Sequence, residues 1–191
     1  MTCIVGLMHD GIVYMGADSM ASNGYTRAIR KDKKVFKLKS TKGALAGFTT
    51  SFRMGQLLMY ADNLIDDTVF VDHEYLVTHF IPSIQKLFEE GGFSKNTSGE
   101  LSAGDFLLAY NNKLYTIFSD YQVAEDIENY ASCGSGEPFA LGSLYSTEGS
   151  VLSPEERIHK ALQAASAHCP TVSAPYYIMN TKNNEVKEYN Y

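Results

Sequence analysis

MTCIVGLMHDGIVYMGADS, residues 1–19, decides the fold. Thr2–Met8 and Ile12–Asp18 are β-branched, apolar runs, and between them His9-Asp10-Gly11 supplies a hairpin signal, since Asp and Gly both tolerate the positive φ of a tight turn. The chain therefore enters a strand almost from its first residue. An untethered terminus gains little by ordering, so a start inside a sheet needs a reason, and Thr2 is the residue to ask.

Beyond this hairpin, Ser22-Asn23-Gly24 reads as a turn, and Lys34–Lys39 and Gly43–Phe48 as a strand pair around Ser40-Thr41-Lys42. Thr50 or Ser51 can cap a helix carrying Met54, Leu57, Leu58, Ala61 and Leu64 at helical spacing. Asp72 can cap a second, with Leu76, Phe80, Ile84 and Leu87 inward, a kink expected at Pro82 and an end at Gly91-Gly92. Ser94–Gly104 reads as a polar loop. Phe106–Tyr110 and Leu114–Phe118 pair around Asn111-Asn112, and Asn129–Cys133 forms a strand leading through Gly134-Ser135-Gly136 to a helix from about Pro138 to Tyr145. Ser153-Pro154-Glu155-Glu156 is a capping box with proline at the first helical position, opening a helix with Ile158, Ala161, Leu162 and Ala165 on one face. Tyr176–Asn180 and Val186–Tyr189 close as a hairpin around Lys182-Asn183-Asn184. Strands group with strands and helices with helices, without βαβ alternation, which predicts α+β layers.

The chain has 191 residues, enough for one domain with a real core; 45% are hydrophobic and 20% charged, as in an ordinary globular protein. A net charge of −6 argues against nucleic acid as partner. Cys3, Cys133 and Cys169 make an odd set without metal-site spacing, and the five histidines have none either. The short apolar opening runs into His9-Asp10, unlike a signal peptide or a membrane span, so a cytoplasmic protein is expected.

Half of the sixteen Lys and Arg residues fall between Arg27 and Lys42, mostly as a solvated patch. Strand alternation sets Lys34 with Phe36 and Leu38 on one face, and Lys33 with Val35, Lys37 and Lys39 on the other. A lysine on an inward face is costly without a partner. Asp18, ending a strand of buried character, reads singly as a strand-end turn former; with Lys34 it reads as half of a neutralising pair. Thr2 is the third member. Methionine aminopeptidase removes Met1 before a small residue such as Thr, leaving a hydroxyl and an α-amine on one residue. That amine titrates near pH 8 and can act as general base for its own Oγ1.

On these residues the sequence resembles the proteasome β subunits and the bacterial HslV peptidase, threonine peptidases among the N-terminal-nucleophile (Ntn) hydrolases. The resemblance covers nearly the whole chain. It rests on Thr2 opening the first strand, GIVYMGADS ending with Asp18-Ser19, KKVFKL with Lys34 before Val35, ALAGF with Gly47, GSG at 134–136, and equal intervals of 16 residues from Thr2 to Asp18 and from Asp18 to Lys34. It implies one domain, residues 1–191, folded as a four-layer αββα sandwich of two antiparallel sheets flanked by helices. It implies Thr2 as nucleophile, Lys34 as the cation beside it, Asp18 orienting Lys34, the Gly47 N–H as oxyanion donor and Ser135 hydrogen-bonded near the α-amine. Protein or peptide substrates, a homo-oligomeric ring and an ATP-dependent unfoldase partner follow, with no metal, organic cofactor, nucleic acid or membrane.

The pattern departs from the family late in the chain. Proteasome β subunits carry an Asp and then a Ser before a glycine pair after the helix that here starts at Pro154, whereas no Asp or Glu occurs from Arg157 to Asn184. Ser173 can stand in for the Ser, with Ala167 or His168 near the missing acid. Cys3 is a rival nucleophile, although the interval to Asp18 fits Thr2. A non-catalytic ring or scaffold subunit and an Ntn amidohydrolase acting on a small amide are the alternative functions.

Overall fold

The computed structural model describes residues 2–97 and 99–191; Met1 and Ser98 lie outside the described residues, and with them the direct view of Met1 removal and of one position in the expected 94–104 loop. Strands β1 (Ile4–His9) and β2 (Ile12–Ala17) pair in antiparallel register from Ile4↔Ala17 to His9↔Ile12. Their two-residue turn puts Asp10 at φ 49° and Gly11 at φ 73°, as the Asp-Gly signal requires. A small ribbon, β3 (Met20–Ser22) and β4 (Arg27–Ile29), follows, then β5 (Val35–Lys37), β6 (Leu45–Phe48) and helix α1 (Phe52–Tyr60), capped by the Ser51 side chain.

The next helical stretch is composite. Asp72 caps α2 (His73–Tyr75), a π-helical turn spans Leu76–Phe80, and α3 (Ile81–Glu90) completes it. Pro82, which has no N–H to offer, sits at the start of α3 just past the widened turn, in which the Ile81 N–H reaches Leu76 O. The extra residue shifts the helical phase, so Phe88 is fully buried where Leu87 was expected inward. The expected polar loop is instead a ribbon, β7 (Lys95–Thr97) with β8 (Glu100–Ser102). Then come β9 (Phe106–Tyr110), β10 (Lys113–Ile117), β11 (Val123–Ala124), β12 (Tyr130–Cys133), α4 (Glu137–Ser146), α5 (Pro154–His168), β13 (Tyr176–Asn180) and β14 (Lys187–Tyr189). The Ser153–Glu156 capping box forms as read.

Two five-stranded antiparallel sheets result, ordered β12-β1-β2-β13-β14 and β11-β10-β9-β6-β5. Each strand's alternation feeds two cores. Ile4, Val13, Met15, Val35, Leu45 and Leu107 fill the space between the sheets. Val5 and Leu7 turn to α4 and α5, where Ile158, Leu162 and Ala165 meet them. Phe36, Phe106 and Leu108 face the other helices with Leu58, Phe80, Ile84 and Phe88. The layering is αββα, as expected. Because both sheet faces are covered, β5 buries Val35 and Phe36 alike, and inward against outward does not distinguish its two faces. The two sheets approach tightly at Gly47, where a Cβ would lie 2.5 Å from Ile4 Cγ2 and 2.8 Å from Met15 Sδ.

Candidate active site

The β1–β2 register fixes the first half of the site. With Ile4 opposite Ala17, Cys3 comes opposite Asp18: the Asp18 N–H donates to Cys3 O (3.3 Å), and the Cys3 N–H donates to Asp18 Oδ1 (3.1 Å). Asp18 Oδ2 accepts from the N–H groups of Met20 (3.0 Å) and Ser173 (3.4 Å). Lys34 enters from the other sheet, one residue before β5. Its ammonium donates to Asp18 Oδ1 (2.8 Å), Met20 O (2.5 Å) and Thr2 Oγ1 (3.1 Å), so all three protons have acceptors.

Lys34 is 1% exposed and Asp18 0%. Burial pushes the Lys34 ammonium below its ordinary value, and the Asp18 carboxylate pulls the other way. A buried cation 3.1 Å from a hydroxyl stabilises negative charge on that oxygen. Thr2 is itself buried, yet it lines a cavity of about 280 Å³ with Ala21, Ala28, Phe48, Thr49 and Thr50. Its nitrogen donates to Ser135 Oγ (3.1 Å). Ser135 follows β12, the strand on the far side of β1, and the Gly136 N–H on Thr2 O (3.1 Å) ties that loop down.

No protein-family model matches the sequence, and no curated protein does. Solved structures do match. Over 94% of this chain and 97% of theirs, the chain superimposes on Thiobacillus denitrificans BPH in complex with Epoxomicin, at a TM-score of 0.76 and 18% identity. Eukaryotic HslV from Trypanosoma brucei matches at a TM-score of 0.71 and 15% identity over 94% of this chain and 98% of that one. A Gly-1 mutant of Anbu from Hyphomicrobium sp. strain MC1 matches at 0.73 and 10% identity over 100% and 88%. The chain has the HslV- and proteasome-like Ntn-hydrolase fold.

Within this Ntn-hydrolase fold, Thr2, Asp18, Lys34 and Ser135 converge, but Gly47 does not offer its N–H to them. Phe48 donates to Lys34 O (3.0 Å) and Thr49 to Asp105 O (3.1 Å), so alternation turns the N–H of Gly47, the residue before Phe48, toward Leu107 of β9, its registered partner. The expected oxyanion donor is thus a ladder amide, and its glycine is explained by sheet contact. The turn after β6 is what borders the cavity beside Thr2. There Thr50 takes φ 64°, unusual for a β-branched residue, and its N–H makes no hydrogen bond among the described residues.

Two more positions differ from expectation. The hydroxyl that meets Ser135 belongs to Thr171, at 2.8 Å, which the sequence reading missed; Ser173 instead offers its N–H to Asp18. Periodicity carried no signal for Thr171, which lies beyond the end of α5. Lys33 is half-buried, its ammonium 5.2 Å from the Tyr177 ring centroid. Cys3, the rival nucleophile, is 0% exposed, and burial together with the Asp18 charge pushes its thiol up to about 12, so it stays protonated and inert.

Proposed function

We propose that this chain is an N-terminal threonine endopeptidase of the proteasome and HslV type. The observation that carries the reading is the buried Lys34 ammonium held between Asp18 Oδ1 (2.8 Å) and Thr2 Oγ1 (3.1 Å). While Met1 is attached, the Thr2 nitrogen is an amide whose lone pair is delocalised and useless as a base. Removal of Met1 makes it an amine.

In this reading the amine takes the Oγ1 proton as Oγ1 attacks the scissile carbonyl, and Lys34 stabilises the charge on the attacking oxygen. The Thr50 N–H, not that of Gly47, receives the oxyanion, a donor of a kind worth about 3 kcal/mol in acyl transfer. Collapse breaks the C–N bond, the leaving amine takes the proton from the α-ammonium, and water then hydrolyses the Thr2 ester with the amine as base. Asp18 holds Lys34 in place, and Ser135 holds the amine. The chain acts as a single domain in a self-assembling ring that restricts access to unfolded protein or peptide, delivered by an ATP-dependent partner in the cytoplasm.

The test is turnover of fluorogenic peptides by wild type and Thr2→Ala, together with the intact mass after incubation with Epoxomicin, the compound bound to the Thiobacillus protein. Turnover and a mass increase confined to wild type support the reading; equal turnover by both proteins refutes it. A second reading, a non-catalytic ring subunit, draws on the missing late carboxylate and predicts neither turnover nor adduct.

A further inference from the structure

We propose that Cys169 is a positioning residue for the Thr2 nitrogen, acting through Thr171 and Ser135 as the acceptor at the far end of a hydrogen-bond chain; the inference rests on the peptidase reading above. The chain is continuous. Thr2 N to Ser135 Oγ is 3.1 Å, Ser135 Oγ to Thr171 Oγ1 is 2.8 Å, and Thr171 Oγ1 to Cys169 Sγ is 3.2 Å. Its two middle members are not held by burial: Ser135 is exposed and Thr171 half-buried. Cys169 is 6% exposed and closes α5, its N–H donating to Ala165 O (2.8 Å). Beyond Thr2, which is itself buried, the fixed member of the chain is therefore the sulfur.

What sits at that end biases the direction of the bonds before it, with the Thr2 carbonyl oxygen, 3.3 Å from Ser135 Oγ, as the other acceptor in reach. A hydroxyl can donate or accept. If the sulfur accepts, Thr171 must donate to it and Ser135 must donate to Thr171. Ser135 Oγ is then left with lone pairs only, to accept from the Thr2 nitrogen. That is the arrangement a base needs, because it occupies an N–H and leaves the amine lone pair for the Oγ1 proton. A chain running the other way would have Thr171 donate to Ser135 and leave the Ser135 proton to the Thr2 carbonyl oxygen, 3.3 Å away, or to that lone pair.

Burial raises the proton affinity of Cys169, and hydrogen bonding, first of all from Thr171, lowers it by more, so the thiol ends below its ordinary value, in the sense of an acceptor. The titratable groups facing it are Asp18 from the end of β2, whose charge Lys34 offsets, and Cys3 from ahead of β1, which stays protonated. The neighbouring His168 ring is engaged elsewhere, against Phe139 at 5.5 Å. A sulfur acceptor thus occupies the stretch where no carboxylate is available.

The experiment uses the Thr2-ended chain, released from a cleavable N-terminal fusion where cells retain Met1, as wild type, Cys169→Ala, Cys169→Asp and Thr171→Val. Two readouts are followed against pH: the ¹⁵N shift of the Thr2 α-amine and kcat/KM on a fluorogenic peptide. Cys169→Ala keeps the backbone cap, and Thr171→Val breaks the chain one step earlier should the first variant fold poorly. Both are expected to lower the amine pKa by about half a unit or more, because an oriented acceptor favours the ammonium. Both are expected to lose about tenfold or more in kcat/KM, the scale of a displaced supporting group. Cys169→Asp, an obligate acceptor, should retain the wild-type titration and rate. An unchanged amine titration in Cys169→Ala and Thr171→Val, or a Cys169→Asp indistinguishable from Cys169→Ala, overturns the proposal. The two readings fail separately: an inactive wild type whose amine titration still responds to Cys169 refutes the peptidase reading and keeps the chain.

Discussion

Thr2, Asp18 and Lys34 come from three chain segments and two sheets, and electrostatics makes them interdependent. Asp18 is fully buried and accepts three backbone N–H groups besides Lys34. Asp18→Asn leaves the Lys34 charge without its counter-ion, and removing one partner of a buried pair costs about 3–5 kcal/mol; urea unfolding should show a loss on that scale. Lys34→Ala should lower peptidase turnover by about a hundredfold or more, the range for a group acting on the transferring proton. Lys33→Ala should stay within a few-fold of wild type, since it removes only a half-buried contact with Tyr177. Equal losses would show that Lys34 acts through general charge and not through its place beside Thr2. Thr50 gives a third expectation. Thr50→Gly keeps the N–H, relieves a left-handed backbone and should stabilise the fold by about 1 kcal/mol without loss of turnover.

At the scale of elements, the sequence was most readable where a local signal has one physical outcome. Asp10-Gly11 set a two-residue turn, that turn set the β1–β2 register, and the register carried Asp18 to the start of β1. The Ser153–Glu156 box fixed the start of α5 in the same way. Elements without such signals were not readable. The β3–β4 and β7–β8 ribbons and β11 are two or three residues long and lie partly in polar sequence, so neither period nor hydrophobicity marks them. The π turn before Pro82 is a response to tertiary packing and shifted the buried face to Phe88. Gly47 shows how a motif residue can be right and its role misread: its lack of a side chain serves the sheet interface, while its amide serves the ladder. Gly47→Ala should therefore cost about 1–3 kcal/mol from overpacking, measured by denaturant unfolding, with turnover per folded molecule unchanged. A loss of turnover without a loss of stability would return the oxyanion role to Gly47.

The whole molecule places one chemical unit at the open end of a hairpin, between two sheets that each carry helices on their outer face. Only in that arrangement do the start of β1, the end of β2, the approach to β5 and the loop after β12 meet. None of these contacts is local in sequence; the Thr2–Ser135 bond spans 133 residues. Substitution of Thr2 removes one hydroxyl from this frame and leaves the three cores intact, so Thr2→Ala should assemble as wild type does, with the same sedimentation profile, while losing the covalent path. The central claim is that Thr2, freed of Met1, is the nucleophile. Mass spectrometry of the N-terminal peptide, after the purified protein has been exposed to a threonine-directed electrophile such as a β-lactone, tests it most directly. The account predicts a peptide that begins at Thr2 and carries the adduct on that residue. A peptide that keeps Met1, or one that begins at Thr2 and stays unmodified at saturating reagent, would contradict it.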